Sequence, residues 1–118
     1  MRVEDVTRVV RSDHSMIRWN CSKKLSDRCS MSDLRNKLGI PTIVDVMRQK
    51  RLRWFGHVMR MEDDAWQKKM LSYNVNGTAP RGRPKLRWYD AVKKDMQELG
   101  INSRLASDRS TWRQAITI

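Results

Sequence analysis

Residues 42–61, TIVDVMRQKRLRWFGHVMRM, decide how this chain is read. Ile43, Met47, Trp54, Val58 and Met61 step by four, seven, four and three, the spacing of one face of an α-helix, and Thr42 is placed to cap its start. Arg48, Arg53 and Arg60 fall largely off that stripe, so one face of this helix is expected to pack and another to be basic. Helical periodicity extends outward on both sides. A first helix is predicted from Asp13 to about Asn20, and a second from a Ser32 cap through Leu34 and Leu38 to Gly39, where Pro41 breaks the chain. Asp63 and Asp64 suit the first turn of a fourth, through Trp66, Met70 and Tyr73. A fifth carries Trp88, Val92, Met96 and Leu99 up to Gly100, and a sixth, from about Ser103, carries Leu105, Trp112 and Ile116. Alternating β-branched residues are scarce. The expected fold is therefore all-α, a small irregular bundle of five to six helices interrupted by one extended basic loop.

That loop is residues 74–85, which hold two of the three prolines and two of the five glycines. It divides the expected organisation into an unmatched, disordered extension at 1–12, a helical subregion at 13–73, the loop, and a C-terminal helical pair at 86–118. No apolar run approaches the roughly eighteen residues of a membrane span, and the first twelve residues lack the apolar stretch of a secretory signal. The expected setting is intracellular, in the nucleus or a cytoplasmic ribonucleoprotein, where Cys21 and Cys29 read as free thiols.

Charge is the strongest compositional signal. The 118 residues carry 25 Lys and Arg against 13 Asp and Glu, a net +12 that favours a polyanionic partner. Residues 48–60 hold Arg48, Lys50, Arg51, Arg53 and Arg60 with no acid; residues 81–94 hold Arg81, Arg83, Lys85, Arg87, Lys93 and Lys94 against Asp90. These two windows account for ten of the twelve units, so the basicity is patterned rather than spread for solubility. RNA or DNA is the expected partner, with no membrane and no small-molecule substrate.

Pro80-Arg81-Gly82-Arg83-Pro84, followed by Lys85, resembles the core of the DNA-binding AT-hook. A thin cationic strand suits the narrow, electronegative A·T minor groove, and Gly82 offers no Cβ to clash with its walls. The alternative is a stiff, solvated linker with Pro84 near the first turn of the next helix. In Arg51-Leu52-Arg53-Trp54-Phe55-Gly56-His57-Val58 the aromatics interleave with cations, as stacking combined with phosphate contact requires. Here the stronger expectation is that Trp54 and Phe55 are core residues with the arginines exposed beside them. The nucleic-acid-binding candidates are therefore Arg48, Arg51, Arg53, Arg60, Pro80, Arg81, Gly82, Arg83, Pro84, Lys85 and Arg87.

Chemistry finds no purchase. His14, Cys21, Cys29 and His57 lack the short ligand spacings of a zinc site, so no metal or other cofactor is expected. Glu62-Asp63-Asp64 has no strand pattern around it and reads as helix-terminal acids; no phosphate loop or nucleophile motif is present. No catalytic residue is assigned.

Taken in order, Lys24-Leu25-Ser26-Asp27-Arg28, Leu34-Arg35 with Leu38-Gly39-Ile40, and Arg51 to Val58 with Arg60-Met61 resemble the C-terminal tail of LINE-type (non-LTR) retrotransposon reverse transcriptases. Gly77, Arg81 to Lys85 with Arg87-Trp88, Asp95 with Leu99, and Asp108-Arg109 with Trp112-Arg113 continue the match, which runs over about residues 14–114. The family's endonuclease and polymerase modules lie upstream, so the resemblance implies that this chain begins after both and lacks the Ala-Asp-Asp-type polymerase motif. It implies a non-catalytic tail that grips template RNA or target DNA. Two rival expectations stand beside it: a module whose five tryptophans and eight methionines dock on the missing polymerase, and a decayed remnant with no activity.

Overall fold

A computed structural model describes residues 2–71, 73, 81–82 and 87–118. Among them are six α-helices and no strand: α1 Val3–Asn20, α2 Met31–Leu38, α3 Ile43–Met59, α4 Trp66–Leu71, α5 Trp88–Leu99 and α6 Arg109–Ile116. The all-α expectation is met. The chain divides into two compact units, Met1–Met47 and Arg48–Thr117.

In the first unit α1 packs on α2. Helix α1 starts ten residues before the expected Asp13 and takes in most of the segment expected to be disordered. The missed signal is a stripe: Val6, Val10, Asp13 and Ile17 recur by four, three and four, and all are half-buried or buried. The valines disguise it, because β-branching lowers helix propensity, whereas burying one face against a neighbour supplies the stability that propensity does not. Helix α2 begins at a Ser30 N-cap rather than Ser32 and ends where expected, at Gly39 in the left-handed conformation (φ 66°). Arg35 is 8% exposed; its guanidinium pairs with Asp13 of α1 and donates to the Pro41 carbonyl at 2.8 Å, tying α1, α2 and the following turn together.

In the second unit one apolar cluster holds everything else. Leu52 and Phe55 of α3, Val92 and Met96 of α5, Ala106, and Trp112 and Ile116 of α6 are buried together, with Met59, Leu71, Tyr89 and Ile101 packed at the edge. Complete burial of side chains of this size stabilises by roughly 1.5–3 kcal/mol each. The buried positions of α3 are therefore Leu52, Phe55, Gly56 and Val58; of the expected stripe Val58 is buried at 1% exposure, Ile43, Met47 and Met61 are half-buried, and Trp54 alone is exposed. Phe55 is core as expected, but Trp54 remains 50% exposed. The seat that an α3 tryptophan was expected to fill is taken by Trp112, whose indole Nε1–H donates 2.8 Å to the Leu52 carbonyl.

Two other boundaries differ. Helix α4 is short, Trp66–Leu71, because residues 62–65 form a turn in which Ala65 N–H donates to the Glu62 carbonyl and the Asp63 carboxylate takes Lys68 at 2.7 Å. The expected sixth helix is split into a 3-10 turn, Ser103–Ser107, and α6. The cause is a pair of side-chain caps: Asn102 accepts from Arg104 N–H and Asp108 from Ser110 N–H, so each starts its own element.

Candidate nucleic-acid interface

Helix α3 carries three neighbouring stripes. Arg48 and Arg51 face α5, Leu52, Phe55, Gly56 and Met59 face the core, and Lys50, Arg53, Trp54 and His57, spaced i, i+3, i+4, i+7, line a groove. The other wall is α6, which contributes Arg109 and Arg113 at i, i+4 beside the packed Trp112 and Ile116. The groove encloses about 450 Å³, within the span of small-ligand pockets, roughly 300–1,000 Å³. Its lining has five Lys and Arg side chains and no carboxylate.

The walls meet this closely because of one missing side chain. A Cβ on Gly56 would fall well inside van der Waals contact with the Trp112 indole and 3.1 Å from Arg60 Nη1. The glycine thus lets the indole lie against the α3 backbone, while Phe55 sits tilted at 5.9 Å from Trp112 and stacks at 6.0 Å from Tyr89. Arg60 closes the end of the groove. Its Nη1 donates 3.0 Å to the Ala106 carbonyl, and its Nε is buried without an acceptor among the described residues. Burial, then the neighbouring Arg109 and Arg113, hold its pKa below the usual arginine value, which marks a locally unbalanced positive charge. Lys50, Arg53, Arg109 and Arg113 form no ion pair among the described residues. Trp54 lines the same groove with His57 tilted beside it, ring centroids 5.4 Å apart.

The residues singled out from sequence separate into three groups. Arg53 and Arg60 line the groove. Arg48 and Arg51 turn the other way: Arg51 forks onto Asp95 with bonds of 2.8 and 3.2 Å, and Arg48 reaches Glu98 at 2.8 Å and Asp95 at 3.7 Å. Asp95 is only 5% exposed, so these two arginines join α3 to α5. Arg81, Gly82 and Arg87 are exposed, and Gly82 has a positive φ of 120° that suits glycine. Pro80, Arg83, Pro84 and Lys85 lie outside the described residues. Sequence reading missed Arg109 and Arg113, which fall in neither charge-dense window; the legible signal was their i, i+4 spacing on the helix that also carries Trp112.

No group of three or more metal-ligating side chains occurs among the described residues; Cys21 and Cys29 are free thiols, Cys29 exposed. No described helix is long and apolar enough to cross a membrane.

No family model matches the chain, and no solved structure matches it. It is similar to a Caenorhabditis elegans protein described as transposon-derived, with 26% identity over 88 residues that cover 68% of this chain and 32% of that protein. The chain thus spans about a third of the length of this relative. The similarity supports a transposon origin.

Proposed function

We propose that this chain is a nucleic-acid-gripping segment of a transposon-encoded reverse transcriptase, akin to the C-terminal region of the LINE-type enzymes, and that it holds RNA or DNA without catalysing a reaction on it. The observation that carries the reading is the groove between α3 and α6, where five cationic side chains converge with no carboxylate in the lining. Collecting like charges costs free energy unless an anion relieves them, and a phosphodiester backbone offers anions at regular spacing. The exposed Arg81 adds a second cationic contact.

The test is binding of the purified chain to labelled A·T-rich duplex, G·C-rich duplex and single-stranded RNA at two salt concentrations. The Arg109→Ala/Arg113→Ala and Arg81→Ala/Arg83→Ala variants are measured alongside. A steep salt slope, with loss of affinity in the first variant, supports the reading. No binding at low salt removes it.

A second reading, docking on a polymerase module, is favoured by large apolar side chains left in solvent: Trp19 at 81%, Trp66 at 70% and Met16 at 65% exposure. Self-association that is insensitive to salt, in place of nucleic-acid binding, is its expected signature.

A further inference from the structure

We infer that the α3–α6 groove takes an unpaired nucleotide of a single strand, its base stacked on Trp54 and its flanking phosphates held by Arg53, Arg109 and Arg113. The inference rests on the nucleic-acid reading above and specifies the form of nucleic acid.

Two features of the groove select a single strand over a duplex. The first is width. The major groove of a duplex, about 12 Å across, admits one helix, and a helix with its side chains is itself about 10–12 Å in diameter. The cationic surface here is built by two helices packed together, α3 and α6, so neither can enter a duplex groove with this face leading. The surface is concave, and what enters it must be thin.

The second feature is the aromatic. Trp54 stands half-exposed among cations, on the same stripe as Lys50, Arg53 and His57. Bases in a duplex are stacked on one another and offer only their edges, leaving an indole face beside the phosphates nothing to stack on. An unpaired base offers its whole face, and a backbone phosphate on either side then lies within reach of the arginines. An acidic peptide would satisfy the charge but not the stacking.

The test is a fluorescence-anisotropy titration of the full chain with labelled twelve-nucleotide oligo-dT, twelve-nucleotide oligo-U and a blunt duplex, with poly-aspartate as competitor. Trp54→Ala, Trp54→Phe and Arg109→Ala/Arg113→Ala are titrated in parallel, each checked for an unchanged helical spectrum. Single strands are expected to bind at least tenfold more tightly than the duplex. Trp54→Ala should weaken them about tenfold without affecting the duplex, and Trp54→Phe should retain most of the affinity. The inference is overturned if the duplex binds as tightly, if Trp54→Ala changes nothing, or if poly-aspartate displaces the strand at equal charge concentration. Should the duplex bind and the arginine variant weaken it while Trp54→Ala does not, this inference fails and the broader reading survives. If no nucleic acid binds, both fail.

Discussion

Gly56 has no side chain, and Trp112 occupies the space where one would be. In Gly56→Ala the added methyl must push the indole off α3, breaking the bond from Trp112 Nε1 to the Leu52 carbonyl and disturbing the tilted contact with Phe55. Alanine gains up to about 1 kcal/mol of helix propensity. Overpacking costs about 1–3 kcal/mol and the lost buried hydrogen bond about 1–3 kcal/mol more. A net destabilisation of about 2 kcal/mol is expected, read as a lower urea midpoint. Asp95 is the other residue on which the second unit depends. Asp95→Asn leaves Arg51 facing a neutral amide and Arg48 with Glu98 alone, both arginines still about a quarter exposed. Removing one partner of a fully buried pair costs about 3–5 kcal/mol. With solvent reaching both arginines, about 2 kcal/mol is expected, again from urea unfolding. Sequence reading placed Gly56 inside the Arg51 to Val58 block and gave it no role, because the atom that requires it belongs to a residue on another helix.

Among the elements, α6 shows how one cap sets a boundary and a pH response. The Asp108 carboxylate accepts from the Thr111 hydroxyl and from Ser110 N–H, and these bonds, the Thr111 one foremost, hold its pKa below the usual aspartate value. A carboxyl whose folded pKa is depressed contributes stability above its unfolded pKa, near 3.9 for aspartate, and loses it as pH falls through the folded value. The melting temperature of Asp108→Ala should therefore lie below that of the wild-type chain by a constant margin from pH 7 to 5. The margin should narrow below about pH 4. Helix α3 carries the clearest lesson about periodicity. Its helical character was plain, but three stripes of side chains run along it, and Trp54 and Phe55, adjacent in sequence, were both expected in the core. They point about 100° apart on a helix, so only one could face Trp112.

For the whole molecule the distribution of charge matters more than its total. Of the cations in residues 48–60, Arg48 and Arg51 are held by Asp95 and Glu98, while Lys50, Arg53 and Arg60 join Arg109 and Arg113 around one groove. If those five each displace a counterion from a single strand, log K should fall against log salt with a slope of about −3.5. Losing two of them in Arg109→Ala/Arg113→Ala should flatten the slope to about −2, with little change in melting temperature because both side chains are exposed. Titration across a range of salt concentrations measures both.

Helical periodicity, the glycine stops at Gly39 and Gly100, the core positions Val92, Met96 and Ile116, and the basic character of the chain are local or compositional properties, and the sequence alone determined them. Each depends on spacings of three or four residues or on residue type, which a linear reading contains. The groove, the pairing of Arg48 and Arg51 with α5, the burial of Arg35 against Asp13 and the exposure of Trp54 were decided only by the tertiary structure. Each depends on which distant side chain reaches a given face first. Trp112 filled the seat beside Gly56, and the face of α3 left over became the candidate site.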